Sequence, residues 1–144
     1  MNDLFCSAGL STDCIPVLLL IQLLTGAFLA ILFLQSGIDK ITDRKGNLEW
    51  LTGHFAGSPF ANMVPLLLSV ITLMEVAAGA LCAVGSVMLL FDGGSRVLLA
   101  GVLLSGVSLI CLFTGQRLAK DYAGAAVLVN YFILVLLGLY FLSL

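Results

Sequence analysis

The segment Ser69–Gly85, SVITLMEVAAGALCAVG, lies in an apolar run from Met63 to Leu90 in which Glu75 is the one formally charged residue. A run of this length is typical of a membrane-spanning helix, which needs about 20 residues. An acidic side chain at the centre of such a helix costs about 2.5–3.5 kcal/mol on insertion scales, so it must face a protein interior or be neutralised. The segment therefore predicts a membrane fold that contains an unusual polar position.

The rest of the sequence has the same apolar character. Of its 144 residues, 61% are apolar and 10% are charged, whereas soluble domains contain about 25% charged residues. Four runs are long enough to span a bilayer, and they leave little sequence for a soluble domain. We predict the spans at Ile15–Ile38, Met63–Leu90, Val97–Gly115 and Tyr122–Leu144. The expected fold is all-α: an integral membrane four-helix bundle, formed by a single domain over residues 1–144.

Basic residues are unevenly distributed over the predicted loops. Four spans place both termini and the turn 91–96 on one side of the membrane, and the loops 39–62 and 116–121 on the other. The first side carries Arg96, and the second carries Lys40, Arg44, Lys45, Arg117 and Lys120. Because basic residues favour the cytoplasmic side, we expect the two loops in the cytoplasm and both termini outside.

The loop between the first two spans is long and amphipathic. Apolar side chains, among them Trp50 and Phe55, are interspersed with polar ones, and tryptophan is typical of the headgroup level. We predict a short interfacial helix over Asn47–Phe55, with an ordinary surface loop as the alternative. His54 is the one histidine of the chain, and with no second His and no Cys near it in the sequence, no metal site is expected.

One polar side chain on each span lies at a similar distance from the two basic loops. At 1.5 Å per residue, Glu75, Thr25, Ser105 and Asn130 are all roughly 12–20 Å deep. These four residues, with Lys40 at the end of the first span, form the candidate intramembrane polar site. We hypothesise that protonated Glu75 donates a hydrogen bond to Asn130 or Thr25. A proton path or ligand site and a purely structural hydrogen bond both remain open.

Motifs for independent catalysis are absent from the sequence. It has no Ser-His-Asp arrangement, phosphate loop or dinucleotide fingerprint, and no histidine in a span to bind haem. The net charge is −2 and there is no basic patch, so nucleic acid is not expected as a partner. The four cysteines include no C-x-x-C pair, and whether Cys6 and Cys14 pair is left open.

Four short motifs follow one another along the chain. They are FLQSGIDKI (33–41), GSPF (57–60), MEVAAGALCAVG (74–85) and GQRLAKDYAGAA (115–126). In order and spacing they resemble the DoxX family, over about residues 15–144. The positions that match the family's pattern are Gly37, Lys40, Pro59, Glu75 and Gly79.

The resemblance implies a four-helix protein of bacterial or archaeal cytoplasmic membranes, linked to thiosulfate:quinone oxidoreduction or to assemblies that handle thiol and oxidative stress. We therefore expect a small membrane subunit of a quinone-linked redox complex, with quinone as candidate cofactor and with the bilayer and a larger membrane complex as partners. Without C-x-x-C, a stand-alone thiol oxidoreductase is disfavoured. The alternative is a non-catalytic accessory subunit beside a larger respiratory or transport complex. Whether the chain is itself an enzyme stays open.

Overall fold

The computed structural model describes residues 17–92 and 95–144, and within those ranges it contains five helices and no strand. The helices are α1 (Val17–Thr42), α2 (Arg44–His54), α3 (Val64–Asp92), α4 (Arg96–Leu118) and α5 (Tyr122–Ser143). All except α2 are long and apolar enough to cross a membrane. The all-helical fold and the four candidate spans are confirmed.

The long helices differ from the predicted spans mainly at their ends. α1 continues to Thr42 instead of ending at Ile38, and α4 continues past Gly115. Lys40, which the hydropathy pattern places in a loop, therefore lies on α1. Helical hydrogen bonding depends on the backbone and can continue beyond the apolar segment. The predicted start of the first span and the Cys6–Cys14 question lie outside the described residues.

Helix α2 lies in the connection between α1 and α3. It begins after Asp43, whose side chain accepts a hydrogen bond from the backbone N of Gly46 at 3.1 Å. This bond satisfies one of the N–H groups that have no partner at the start of a helix. α2 covers Arg44–His54, where the sequence indicated Asn47–Phe55. Its location at a membrane surface stays a prediction.

The long helices pack side by side in the order α1, α3, α4, α5, and α5 returns to α1. Neighbours in this order are antiparallel: along α1 and α3, for example, Leu34 lies at Gly79 and Gly37 lies at Val76. The interior is filled by apolar side chains from all four long helices, including Leu29, Phe33, Ala78, Cys82, Leu98, Val102, Leu109 and Val135.

Two glycines allow α1 and α3 to approach closely. A Cβ at Gly79 would lie 2.8 Å from the backbone N of Leu34, and a Cβ at Gly37 would lie 3.2 Å from that of Val76. Small residues at such crossings are typical of membrane proteins, because packing replaces the hydrophobic effect as the force that holds helices together. The contact sets the relative height of α1 and α3, and so decides which polar side chains can meet.

We expect Gly79→Ala to lower the free energy of unfolding by about 1–3 kcal/mol, because the added methyl group forces the two helix backbones apart. Reversible unfolding in mixed micelles, followed by circular dichroism, measures the change. Gly53→Ala is the matched control, since a Cβ at Gly53 has nothing within 4 Å. Equal stability of Gly79→Ala and the wild type would contradict the close contact.

Candidate functional site

A buried ion pair joins α1 to α3. Lys40 Nζ lies 2.9 Å from Glu75 Oε2, and the two side chains are 17% and 1% exposed. The Ser36 hydroxyl completes the cluster: it donates to Glu75 Oε1 at 3.2 Å and accepts from Lys40 Nζ at 2.7 Å. Within the described residues Oε2 has no well-aligned hydrogen bond, and the nearby charge of Lys40 matches it.

Helix geometry explains why Lys40 and Glu75 meet. Because Gly37 lies at Val76, Lys40 is only about 3 Å further along the bundle axis than Glu75. Helical side chains lean toward the N-terminus of their own helix. Since α1 and α3 are antiparallel, the two side chains lean toward each other. A lysine near the end of α1 thereby neutralises a carboxylate inside the bundle.

An apolar pocket of about 190 Å³ lies beside the ion pair. On the side of the bundle where α1 ends and α3 begins, α1 extends only about 6 Å beyond the level of Glu75, whereas α3 extends about 16 Å beyond it. Residues of α2 cover the part of α3 that extends beyond α1, and residues of α4 form another wall of the pocket. Lys40 forms part of the wall, together with Trp50, His54, Phe55, Gly115 and Gln116.

His54 attaches α2 to the end of α4 and to the residue that precedes α5. Its Nε2 lies 3.0 Å from Gln116 Oε1 and 3.6 Å from Asp121 Oδ2. The Trp50 ring stacks on the His54 ring with centroids 4.5 Å apart. Asp121 also caps α5 by accepting a hydrogen bond from Gly124 N at 2.8 Å. The polar rim of the pocket is thus held by residues from α2, α4 and the start of α5.

The structure separates residues that depth counting placed in one layer. It brings Lys40 to Glu75. Thr25 and Ser105 are buried elsewhere in the interior, at 8% and 0% exposure, and the Ser105 hydroxyl bonds the backbone of its own helix. Asn130 is exposed. In the described part of the chain, the side-chain partners of Glu75 are Lys40 and a serine, in place of the expected Asn130 or Thr25.

Several residues of the site were missed from sequence. Ser36 is four positions before Lys40, a spacing that places two side chains together on a helix. That signal could be used only if α1 was known to continue past Ile38. The contact of His54 with Gln116 joins residues 62 positions apart, and no local pattern indicates it.

No family model, curated protein or solved structure matches the chain. The resemblance to DoxX therefore rests on the four sequence motifs. Of the positions that carry it, Lys40 and Glu75 form the ion pair. Gly37 and Gly79 form the helix contact next to it, and Pro59 lies in the connection between α2 and α3.

Lys40→Met should lower the free energy of unfolding by about 3–5 kcal/mol, because Glu75 stays buried without its cation. The double variant Lys40→Met/Glu75→Leu should recover most of that loss, since it removes both charges. Unfolding of the four proteins of the cycle in mixed micelles gives the coupling energy. Lys45→Met serves as control, because Lys45 is exposed. Purely additive effects at Lys40 and Glu75 would show that the pair does not form.

Proposed function

We propose that this chain is a small multi-pass membrane subunit of a quinone-linked redox complex in a bacterial cytoplasmic membrane, and that the pocket beside Lys40 holds the quinone ring. The observation that carries the proposal is that the lysine of a buried ion pair lines an apolar pocket of ring size. An apolar cavity of roughly 150 Å³ accepts a benzene ring, so a pocket of about 190 Å³ has the size required.

The chemistry of the pocket wall fits a quinone ring, which has two apolar faces and two carbonyl oxygens. Trp50 and Phe55 provide aromatic surface, while Lys40 and Gln116 provide N–H donors. Ligand sites typically combine a mostly apolar lining with a few polar groups that fix orientation. Trp50 is 59% exposed, so it marks an edge where an isoprenoid tail leaves the pocket for the lipid.

The hydrogen-bonded cluster supplies a route for protons in this proposal. Reduction of a quinone to a quinol takes up two electrons and two protons. Lys40 Nζ contacts Ser36 Oγ, and Ser36 Oγ contacts Glu75 Oε1, so a proton can pass between the pocket wall and the interior carboxylate. The electrons come from the larger complex.

The proposed orientation has the pocket near the cytoplasmic surface. The contacts of His54 with Gln116 and Asp121 support a common side for the loops 39–62 and 116–121. Those loops carry most of the chain's Lys and Arg residues, and such residues favour the cytoplasmic side.

A non-catalytic accessory subunit, packed beside a larger respiratory or transport complex, is the second candidate. The enclosure of Glu75, which is 1% exposed and held by both Lys40 and Ser36, favours it. A carboxylate held by an ion pair and a hydrogen bond in this way can serve as a structural link between α1 and α3. The two candidates differ in whether the pocket binds quinone.

Trp50 is the one tryptophan of the chain and lines the pocket, so its fluorescence reports binding. We expect a short-tailed benzoquinone to quench it saturably in the purified chain, held in lipid nanodiscs. Gly115→Leu fills the pocket and should weaken apparent affinity about tenfold or more. Thr114→Leu is the control: it places the same leucine side chain at an exposed neighbouring position that does not line the pocket.

Collisional quenching in the bilayer rises with quinone concentration without saturating and is the same in every variant. Saturable quenching that Gly115→Leu weakens and Thr114→Leu preserves would support quinone binding. Unsaturable quenching, equal in all three proteins, would reject it and leave the accessory role.

A further inference from the structure

The outward face of α5 carries a regular stripe of exposed side chains. The residues of this stripe follow one another at spacings that alternate between three and four: Ala123, Ala126, Asn130, Ile133, Leu137 and Tyr140. α5 is also the least buried of the four long helices. Alternation of three and four is the pattern of a seam along which two helices pack side by side.

Asn130 is the residue in this stripe that lipid would not accommodate. It lies about 12 Å from the start of α5, well inside a helix long enough to span a membrane. Its side chain is exposed, and within residues 17–92 and 95–144 the side-chain hydrogen bonds of α5 involve only positions near its two ends. An amide without a partner in hydrocarbon is strongly unfavourable.

Other exposed polar side chains on the long helices have a local solution. Thr114 donates to the backbone O of Ile110, and Ser69 donates to that of Pro65. Gln35 is exposed as well, but it lies about 10 Å from the end of α1, where a long side chain can reach the headgroups. Asn130 has the shorter side chain and lies slightly deeper, at about 12 Å from the start of its helix, so a partner from another molecule would satisfy it where the headgroups do not.

We propose that this stripe is the interface of a parallel homodimer, in which α5 packs against α5 of a second copy of this chain. Copies of a membrane protein share one orientation, so a two-fold axis along the membrane normal brings both Asn130 residues to the same depth. A carboxamide has both donors and an acceptor, so two equivalent side chains satisfy each other across the axis.

The identity of the partner follows from this matching. A different protein would need its own polar side chain at the depth of Asn130, whereas a second copy supplies it by symmetry. Ala123 and Ala126 permit close approach of the two helices, and a single asparagine in such a seam fixes register and pairing. No described residue of α5 lines the pocket, so the dimer leaves the pocket free, and this inference does not depend on the proposed function.

Single-molecule photobleaching of the full chain, labelled at its C-terminus and reconstituted in lipid vesicles, tests the dimer. At decreasing ratios of protein to lipid, the wild type should show a two-step population that dilution dissociates. Asn130→Leu should raise the dissociation constant by roughly threefold to thirtyfold. Gln35→Leu makes the same chemical change at another exposed amide and should leave it unchanged. A monomeric wild type at every ratio, or equal effects of the two variants, would overturn the proposal.

Disulfide cross-linking locates the interface independently. In a background with Cys6→Ser and Cys14→Ser, Leu137→Cys should form a covalent dimer in vesicles when copper phenanthroline is added as oxidant. Native Cys111, exposed on α4, is the internal control and should not cross-link. Dimers that form equally well without Leu137→Cys would overturn the α5 interface. Cross-linking of Leu137→Cys to a different protein in native membranes would overturn the homodimer.

Discussion

A carboxylate inside a membrane-spanning segment must be neutralised, and the contact between α1 and α3 meets this requirement by bringing a lysine to Glu75. Gly37 and Gly79 bring the two helices close enough for Lys40 to reach Glu75. Replacing either partner alone leaves a buried charge, which is far more costly than removing both. The ion pair therefore depends on the relative height and the distance of α1 and α3, and it accounts for the polar residues at their contact.

The pocket is a consequence of the same register. Because Lys40 meets Glu75 near the end of α1, α3 extends well beyond α1 on that side, and α2 covers the exposed part of α3. His54 then joins α2 to Gln116 and Asp121. The apolar pocket with Lys40 in its wall forms because α1 and α3 extend to different heights at this end of the bundle. The proposed ligand site and the ion pair are therefore adjacent.

Glu75 and Asn130 are the two polar residues that must be kept from lipid, and one lies inside the bundle while the other lies on its outer face. Glu75 faces inward and is matched by Lys40 and Ser36 within the chain. Asn130 faces outward on α5, and in the proposed dimer the equivalent residue of a second copy matches it. Glu75 is thus kept from lipid by burial inside one chain, and Asn130, in the proposed dimer, by burial between two chains.

The sequence by itself determined the four long helices and identified Glu75 as an unusual polar position, because hydropathy and a lone charge are local properties. It did not determine the partners of Glu75, since counting from span ends assumed that helices end at one level, while α1 continues to Thr42. It also could not orient α5, which is apolar on nearly every side, so its pattern does not say which face is buried. Only tertiary packing, through the close contact of α1 with α3 and the angular position of α5, placed Lys40 inside and Asn130 outside.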